Sequence, residues 1–468
     1  MPSSLFRILT SIPLLLVLVL KVLDNTGGAL GFTSYANDFV DPGFIVKGVF
    51  GNNTLAAQGT ILQWAKDSAV GGPWSVIQKN VTAPSGDVHD YMSWAPYWWP
   101  DCSKAGNTTE LTPEQIWKTC TYVSRDGKFN PDGRLINDVG NFQSLSDMVL
   151  YNSIASALTG SGSSSYSTLA VEYIKTWFLD DETKMNPNLN YAQMQRGPTG
   201  QTGSHTGILD LKGMAKIVTG IEIFRKMNCT DWTGDLDSRM NDWTNEYIQW
   251  LESAAISLEE EAAPNNHGTF WYNQVAALKI LVGDIPGALN VTNAYFAKQY
   301  MSQITANGEQ ATARSPAMIT NARLSAYAGD PSVWNKTTNE GSTIRTALEF
   351  AMTLNAANSN ETSYTAELYP SVAAVGAIYG DPEGRYADFL AEREPTYAEE
   401  AWFLWNQPLR GGEEESKAIQ ASGTASARGS QVTSLAGNKG NGARERGGVG
   451  SWVLIMLVGV GLQASFAL

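Results

Sequence analysis

From Asn137 onward, apolar residues recur at three- and four-residue spacings, beginning with Val139, Phe142, Leu145, Met148, Val149 and Ile154. The same period predicts helices over Leu169 to Leu179, Ile208 to Met227, Trp243 to Glu261, Val275 to Val282 and Val291 to Ile304. It continues through Ile319 to Ala328, Thr343 to Leu354, Tyr369 to Tyr379 and Arg385 to Arg393. Turns rich in Gly, Pro and Asn separate these runs, as at Asn186 to Asn190 and Gly197 to Gly200. Strands find little support after residue 140. Earlier in the chain, Tyr91 to Pro100 is aromatic and broken by Pro96 and Pro100, which forbids a regular helix. About ten helices joined by short polar loops predict a mainly α fold, an (α/α) toroid or incomplete barrel of antiparallel helix pairs. No fixed-period repeat supports a solenoid.

Composition changes this picture at the two ends. Residues 1–30 read as a secretory signal, with Arg7 as its charge, Ile8 to Leu20 as its apolar stretch and Gly27-Gly28-Ala29 as a small-residue exit. Lys21 and Asp24 cut that stretch short of the roughly 20 residues a membrane span needs. The helical body is expected over 31–408. Residues 409–451 form a stalk of Gly, Ser, Ala, Arg and Glu with hardly an aromatic. Residues 452–468 are an uncharged apolar tail, preceded by the small triplet Asn441-Gly442-Ala443 and a polar spacer. That order is the pattern of a GPI-type signal exchanged for a lipid anchor, with a retained single-pass tail as the alternative. Either places the body outside the cell, and a monomer is expected.

Seven Asn-x-Ser/Thr sequons, at Asn52, Asn80, Asn107, Asn228, Asn290, Asn335 and Asn360, agree with a secreted glycoprotein. In that setting Cys102 and Cys120 are the expected disulfide, with Cys229 left over. The cysteine spacing has no metal-site form, so no structural zinc is predicted. A net charge of -14 offers no basic stripe for phosphates and excludes nucleic acid as a partner. It leaves room for an acidic sugar polymer held in a local cationic cleft.

The densest polar chemistry lies in Pro264 to Gln274, where the run ending at Glu261 gives way to the run from Val275. Its histidine, His267, is one of only three in the chain, with His89 and His205. Asn265-Asn266-His267 can cap a helix, because Asn side chains accept from free backbone N–H groups. A second asparagine, a histidine and the close-approach residue Gly268 point instead to chemistry. The proton beside a carboxylate is hardly acidic while the carboxylate keeps its charge. An enzyme that removes it must neutralise that charge, supply a base, and protonate the leaving oxygen. Asn266 beside His267 offers the first two parts.

The segment Asn265-Asn266-His267-Gly268-Thr269-Phe270-Trp271-Tyr272 resembles the Asn-Asn-His signature of the alginate-lyase family of polysaccharide lyases, of the secreted, fungal type. Further blocks agree in order: Tyr97 to Asp101, Arg125 to Pro131, Met185 to Gln193, Thr206 to Asp210, and Val333 to Asn335 leading to Ile344 to Leu348. The resemblance implies an α/α toroid that cleaves a uronic-acid polymer by β-elimination, with an acidic polysaccharide as partner and no cofactor or metal. By it, His267 is the base or its assistant, while Asn266 and Arg314 neutralise the substrate carboxylate. The family's tyrosine should follow that arginine. Here only Ser315 and Pro316 separate Arg314 from the helix beginning at Ala317.

Other candidates are smaller. Asn265, His205 in its Gly-rich loop, Asn141, Tyr191 and Gln193 are candidate sugar contacts. Trp98 and Trp99 read either as a packed edge or as a sugar platform. Tyr272 and Tyr327 are poor substitutes for the family's tyrosine, and Tyr272 is expected in the core. Glu259, Glu260 and Glu261 read as a solvated helix face rather than a catalytic pair. The expected function is therefore a polyuronate lyase acting on alginate or a glucuronan. The alternative is a catalytically impaired cell-surface polysaccharide-binding protein on the same fold.

Overall fold

In the computed structural model, residues 39–106, 110–160, 162–310, 315–354 and 362–409 are described. The signal, most of the stalk, the tail, Arg314 and the sequons at Asn107 and Asn360 lie outside them. Within the described residues no helix is long and apolar enough to cross a membrane.

Fourteen α-helices run through the described chain. They are α1 (Pro42–Lys47), α2 (Leu55–Asp67), α3 (Pro113–Thr119), α4 (Asp138–Thr159), α5 (Ser165–Ile174), α6 (Met214–Met227) and α7 (Gly234–Leu251). After them come α8 (Ala255–Glu261), α9 (Asn266–Leu281), α10 (Ile285–Ala297), α11 (Ser315–Ala328), α12 (Ile344–Thr353), α13 (Tyr369–Tyr379) and α14 (Arg385–Arg393). The helices pack in sequence-near pairs: α2 and α5 on α4, α4 on α6, α6 on α9, α9 on α10 and α11, and α13 on α14. Turns around 397–403 return to α2, where Thr60 Oγ1 donates to the Glu399 carbonyl at 2.6 Å. Arg323 on α11 likewise donates to the Phe39 carbonyl at 3.2 Å. The first and last described segments thus meet, as the predicted α/α toroid requires.

Three helices, α4, α6 and α9, are buried on nearly every side. A helix sandwiched between neighbours has no solvated face, so polar residues such as Asn152, Lys216 and Asn273 are buried in them along with the apolar ones. The 3.6-residue period therefore blurs in them, yet their cores, from Phe142 to Ile154 and from Val275 to Leu281, are where the sequence placed them.

Several boundaries differ from the sequence reading. The run Trp243 to Glu261 is two helices, because Ala254 adopts an extended conformation between α7 and α8. Ile208 to Leu211 belongs to a tight 3₁₀ turn, His205–Leu211, ahead of α6. Helix α9 begins at Asn266, so most of the polar cluster is helical rather than a junction loop. A strand also lies after residue 140. β4 (Tyr191–Met194) pairs in parallel with β1 (Met92–Trp94), with Met92 opposite Tyr191. A four-residue strand has too few residues to declare a period against the helices around it. β2 (Trp98–Asp101) and β3 (Thr121–Ser124) form an antiparallel pair. A disulfide from Cys102 to Cys120, with Cα atoms 4.6 Å apart, ties the ends of that pair, and Cys229 is free and buried. The five described sequon asparagines, Asn52, Asn80, Asn228, Asn290 and Asn335, are all exposed.

Candidate active site

The start of α9 is held by its own first residues. Asn265 is the N-cap, its Oδ1 accepting from the His267 N–H at 2.9 Å. The capping reading therefore holds for Asn265, whose side-chain oxygen is engaged by the backbone rather than open to a sugar. Beneath it the buried Gln303 amide donates toward the Pro264 carbonyl at 3.1 Å, the Asn265 carbonyl at 3.3 Å and Thr269 Oγ1 at 3.0 Å. Gln303 in turn accepts from Tyr295 Oη at 2.9 Å. Gly268 is required by this same turn: a Cβ there would lie 2.2 Å from the Ala263 carbonyl oxygen. The close approach read from the sequence is thus made by the chain itself, not by a ligand.

That turn delivers His267, 9% exposed, and the intermediate Asn266 to one place at the positive end of the α9 dipole. His205 arrives from the 3₁₀ turn, its ring centroid 6.4 Å from that of His267. Between the two rings lies Glu260, the next-to-last residue of α8 and fully buried. His205 Nδ1 stands 2.6 Å from Glu260 Oε2, and His267 Nδ1 stands 3.2 Å from Oε1. His205 Nε2 faces the exposed Glu259 carboxylate at 3.6 Å. Burial alone would raise the Glu260 carboxyl, but its contacts with His205 and His267 outweigh that and hold it below the usual glutamate range. The Glu260 hydrogen bond raises the His205 imidazole above its ordinary value, against the opposing effect of partial burial.

The solvated-face reading of the glutamate run is corrected here. Glu259 is exposed, but Glu260 is inside and the apolar Leu258 is 40% exposed. Helix α8 packs by Ser257 and Glu260, one turn apart, and Ser257 Oγ accepts from Trp271 Nε1 at 2.8 Å. The amphipathic pattern pointed the wrong way because His205, distant in sequence, and His267, on the next helix, supply what the carboxylate needs. A buried acid seven residues before a histidine was the only trace of it in the sequence.

The donor atoms of His205, Glu260 and His267 all lie within 4.8 Å of one another, so the ligand types are those a divalent ion uses. Ligands of one tetrahedral zinc, however, stay about 3.3 Å apart given its bond lengths. The 2.6 Å between His205 Nδ1 and Glu260 Oε2 is a proton-bridged hydrogen bond, and the trio reads as a proton-handling group.

The remaining candidates spread over the same end and beyond it. Gln193 sits at φ 44°, 4% exposed, with its amide donating to Asp210 Oδ1 at 2.9 Å and accepting from Thr206 Oγ1 at 2.8 Å. Both ends of the side chain are used inside the protein, facing Asp210 and Thr206. Its role is to hold the loop that carries His205. Gly203 and Gly207 serve that loop too, since a Cβ at either would strike backbone carbonyls, including that of Ala192. Tyr191, half-buried, packs beside Met92 and Trp94. Asn141, in the first turn of α4, accepts from Asn137 Nδ2 at 2.8 Å. Trp98 and Trp99 are half-exposed on β2. Trp99 Nε1 donates to the Lys128 carbonyl at 2.8 Å, and the Arg125 guanidinium lies 5.3 Å from a Trp99 ring centre. His89 is half-buried and bound through Nδ1 to the Lys184 carbonyl at 2.7 Å, apart from the other two histidines.

Neither tyrosine considered as a substitute faces this group. Tyr272 is core, as expected, with its hydroxyl at 3.3 Å from Glu261 Oε1 and its pKa pushed up to about 12 by burial. The Tyr327 hydroxyl donates to Glu222 Oε2 at 3.1 Å.

An imidazole pair thus stands on a buried carboxylate at a helix start within the α/α scaffold, an arrangement able to exchange protons. Residues 75–361 match the family described as alginate lyase, and the chain belongs to that family; it is a polysaccharide lyase. The crystal structure of an alginate lyase from Bacteroides ovatus superposes with a TM-score of 0.65 at 24% identity, covering 80% of this chain and 99% of that one. That likeness bears on the fold. No curated protein matches the chain.

Proposed function

We propose that the protein cleaves a uronic-acid polymer, alginate or a glucuronan, by β-elimination. The observation that carries this reading is the His267 imidazole, held through Nδ1 at a buried carboxylate, with Asn266 next to it in a chain of the alginate lyase family. Neutral His267 takes the proton from the uronate carbon beside the carboxylate. The C–H electron pair becomes the new C=C bond, the bond to the glycosidic oxygen breaks, and that oxygen takes a proton from solvent water, whose hydroxide is neutralised when His267 releases the proton it took. Asn266 and Arg314 hold the carboxylate whose charge would otherwise oppose the first step. Asn141, Tyr191 and the aromatic faces of Trp98 and Trp99 are offered as contacts for flanking sugars. The setting is extracellular, as a glycosylated monomer tethered by a lipid anchor. The test is ultraviolet absorbance of the unsaturated uronate on a panel of alginate, polymannuronate, polyguluronate and glucuronan. A rise with one polymer is expected, and no rise with any of them overturns the reading.

A second reading has its own observation. The hydroxyls of Tyr272 and Tyr327 are turned to Glu261 and Glu222, so neither stands in for the family's proton-donating tyrosine. A protein that binds the polymer without cleaving it would retard in an alginate affinity gel while producing no absorbance change.

A further inference from the structure

Glu260 has no solvent of its own, and its ion-pair partners among the described residues are the two histidines, His205 and His267. His205 Nδ1 is hydrogen-bonded to Oε2 at 2.6 Å, and His267 Nδ1 faces Oε1 at the ion-pair distance of 3.2 Å. A buried carboxylate can only accept, so each Nδ1 that approaches it must carry the proton. A neutral imidazole with its proton on Nδ1 has its lone pair on Nε2. The orientation is not incidental, because α8 is fixed against α9 by the Trp271 to Ser257 hydrogen bond of 2.8 Å one turn before Glu260. The α8 to α9 turn is further locked by Gln303 and by the Gly268 contact.

We propose that Glu260 is a positioning residue for the reaction: its carboxylate fixes the Nδ1–H tautomer of His267, and of His205 beside it, and so presents His267 Nε2 as the proton acceptor. The inference rests on the β-elimination reading given above. It names a residue that acts through His267 and does not itself touch the substrate. When His267 has taken the substrate proton, the imidazolium is stabilised by the carboxylate already in place at its Nδ1. His205, on the second carboxylate oxygen, keeps Glu260 from swinging away from its partner.

The discriminating substitution is Glu260→Gln, which keeps the shape but brings an amide that donates. An N–H donor facing Nδ1 forces one histidine into the Nε2–H tautomer and removes its acceptor. In the purified protein, long-range ¹⁵N–¹H spectra of labelled histidines are expected to report the Nδ1–H form for His205 and His267, with at least one of them switching in the variant. On the cleaved polymer kcat is expected to fall about a hundredfold or more with little change in KM, because the effect is made in proton transfer rather than in binding. Glu260→Asp, which keeps the acceptor but shortens its reach, should recover part of that loss. Native tautomers together with undiminished kcat in Glu260→Gln would overturn the proposal. So would loss of wild-type activity on chelation with recovery on adding zinc, since the trio would then be an ion site. The spectra are read without substrate, so a wild-type protein that cleaves no polymer sinks the lyase reading and leaves the tautomer assignment to stand or fall by itself. Circular dichroism melting of both variants keeps a folding defect from being mistaken for either result.

Discussion

Two buried carboxylates meet one short 3₁₀ turn, Asp210 from within it and Glu260 at its first residue, His205, and they differ in what surrounds them. Asp210, 2% exposed, accepts from Tyr91 Oη at 3.1 Å, from Gln193 Nε2 at 2.9 Å and from Ser93 Oγ. Its described hydrogen-bond donors are neutral, and burial pushes its carboxyl above the usual aspartate range in spite of them. Glu260 is at least as buried, but it faces two imidazoles that can take or release a proton, and its carboxyl lies below the usual range. Burial alone therefore does not mark a working acid. Its partners decide: neutral donors around Asp210 make an anchor, whereas titratable partners around Glu260 make a relay. The two are mechanically joined. Gln193 and Thr206 link Asp210 to the loop bearing His205, so the anchor holds one arm of the relay in place.

The comparison predicts opposite consequences on the two sides. His267→Ala should lower kcat/KM by about a hundredfold to ten-thousandfold, the range expected for a removed general base, in a protein that still folds but melts lower because buried Glu260 loses one of its two partners. Steady-state rates with full activity retained would break the assignment of the relay. Asp210→Ala should act on stability, by about 3 kcal/mol or more, because it leaves several buried donors unsatisfied. Urea unfolding measures this, and the fraction that stays folded should still cleave. A folded, fully stable but inactive Asp210→Ala protein would erase the distinction between anchor and relay.

Smaller effects sharpen the same line. Gln193→Ala should cost about 1–2 kcal/mol in urea unfolding through its lost bonds to Asp210 and Thr206. KM for the polymer should not move, since that amide faces inward. A clear rise in KM would mark Gln193 as a sugar contact.

The smallest expected effect is one of pH. The raised imidazole of His205 contributes stability that is complete below its unfolded pKa and lost as pH rises through the folded value. The lowered carboxyl of Glu260 contributes stability present above its unfolded pKa and lost as pH falls through the folded one. The pair therefore stabilises most between about pH 4.5 and 6.5. The difference in melting temperature between wild type and Glu260→Gln should be widest in that window and narrow above it. A difference that does not change with pH would mean the two groups are not coupled.

Much of the scaffold was legible in the chain because helix burial follows period. The stripe from Val139 to Ile154, the core segment after Val275, and the proline-broken aromatic stretch at Tyr91 to Pro100 all declared their conformations locally. Tyr272 as core also followed from spacing, whereas Asn265, read chiefly as part of the chemistry, proved to be the cap. Breaks were less legible. The separation of α7 from α8 at Ala254 falls in a stretch without Pro or Gly, and the tight turn before α6 keeps Ile208, Leu209 and Leu211 on the core.

By itself the sequence determined a mainly helical body and the place of the polar Asn-Asn-His cluster that holds the candidate base. These are local properties, set by residue type and by spacing within one or two helical turns. Only the tertiary structure decided which acid belongs to that base. Leu258 should have been the inward residue of α8 by hydropathy, yet Glu260 is buried and Leu258 exposed. The reason is that a carboxylate's preference is set by its partners, and those partners, His205 and His267, come from different segments that meet only when the array closes. For the same reason the sequence does not show that Gln193, polar and loop-adjacent, has its two ends bonded to Asp210 and Thr206.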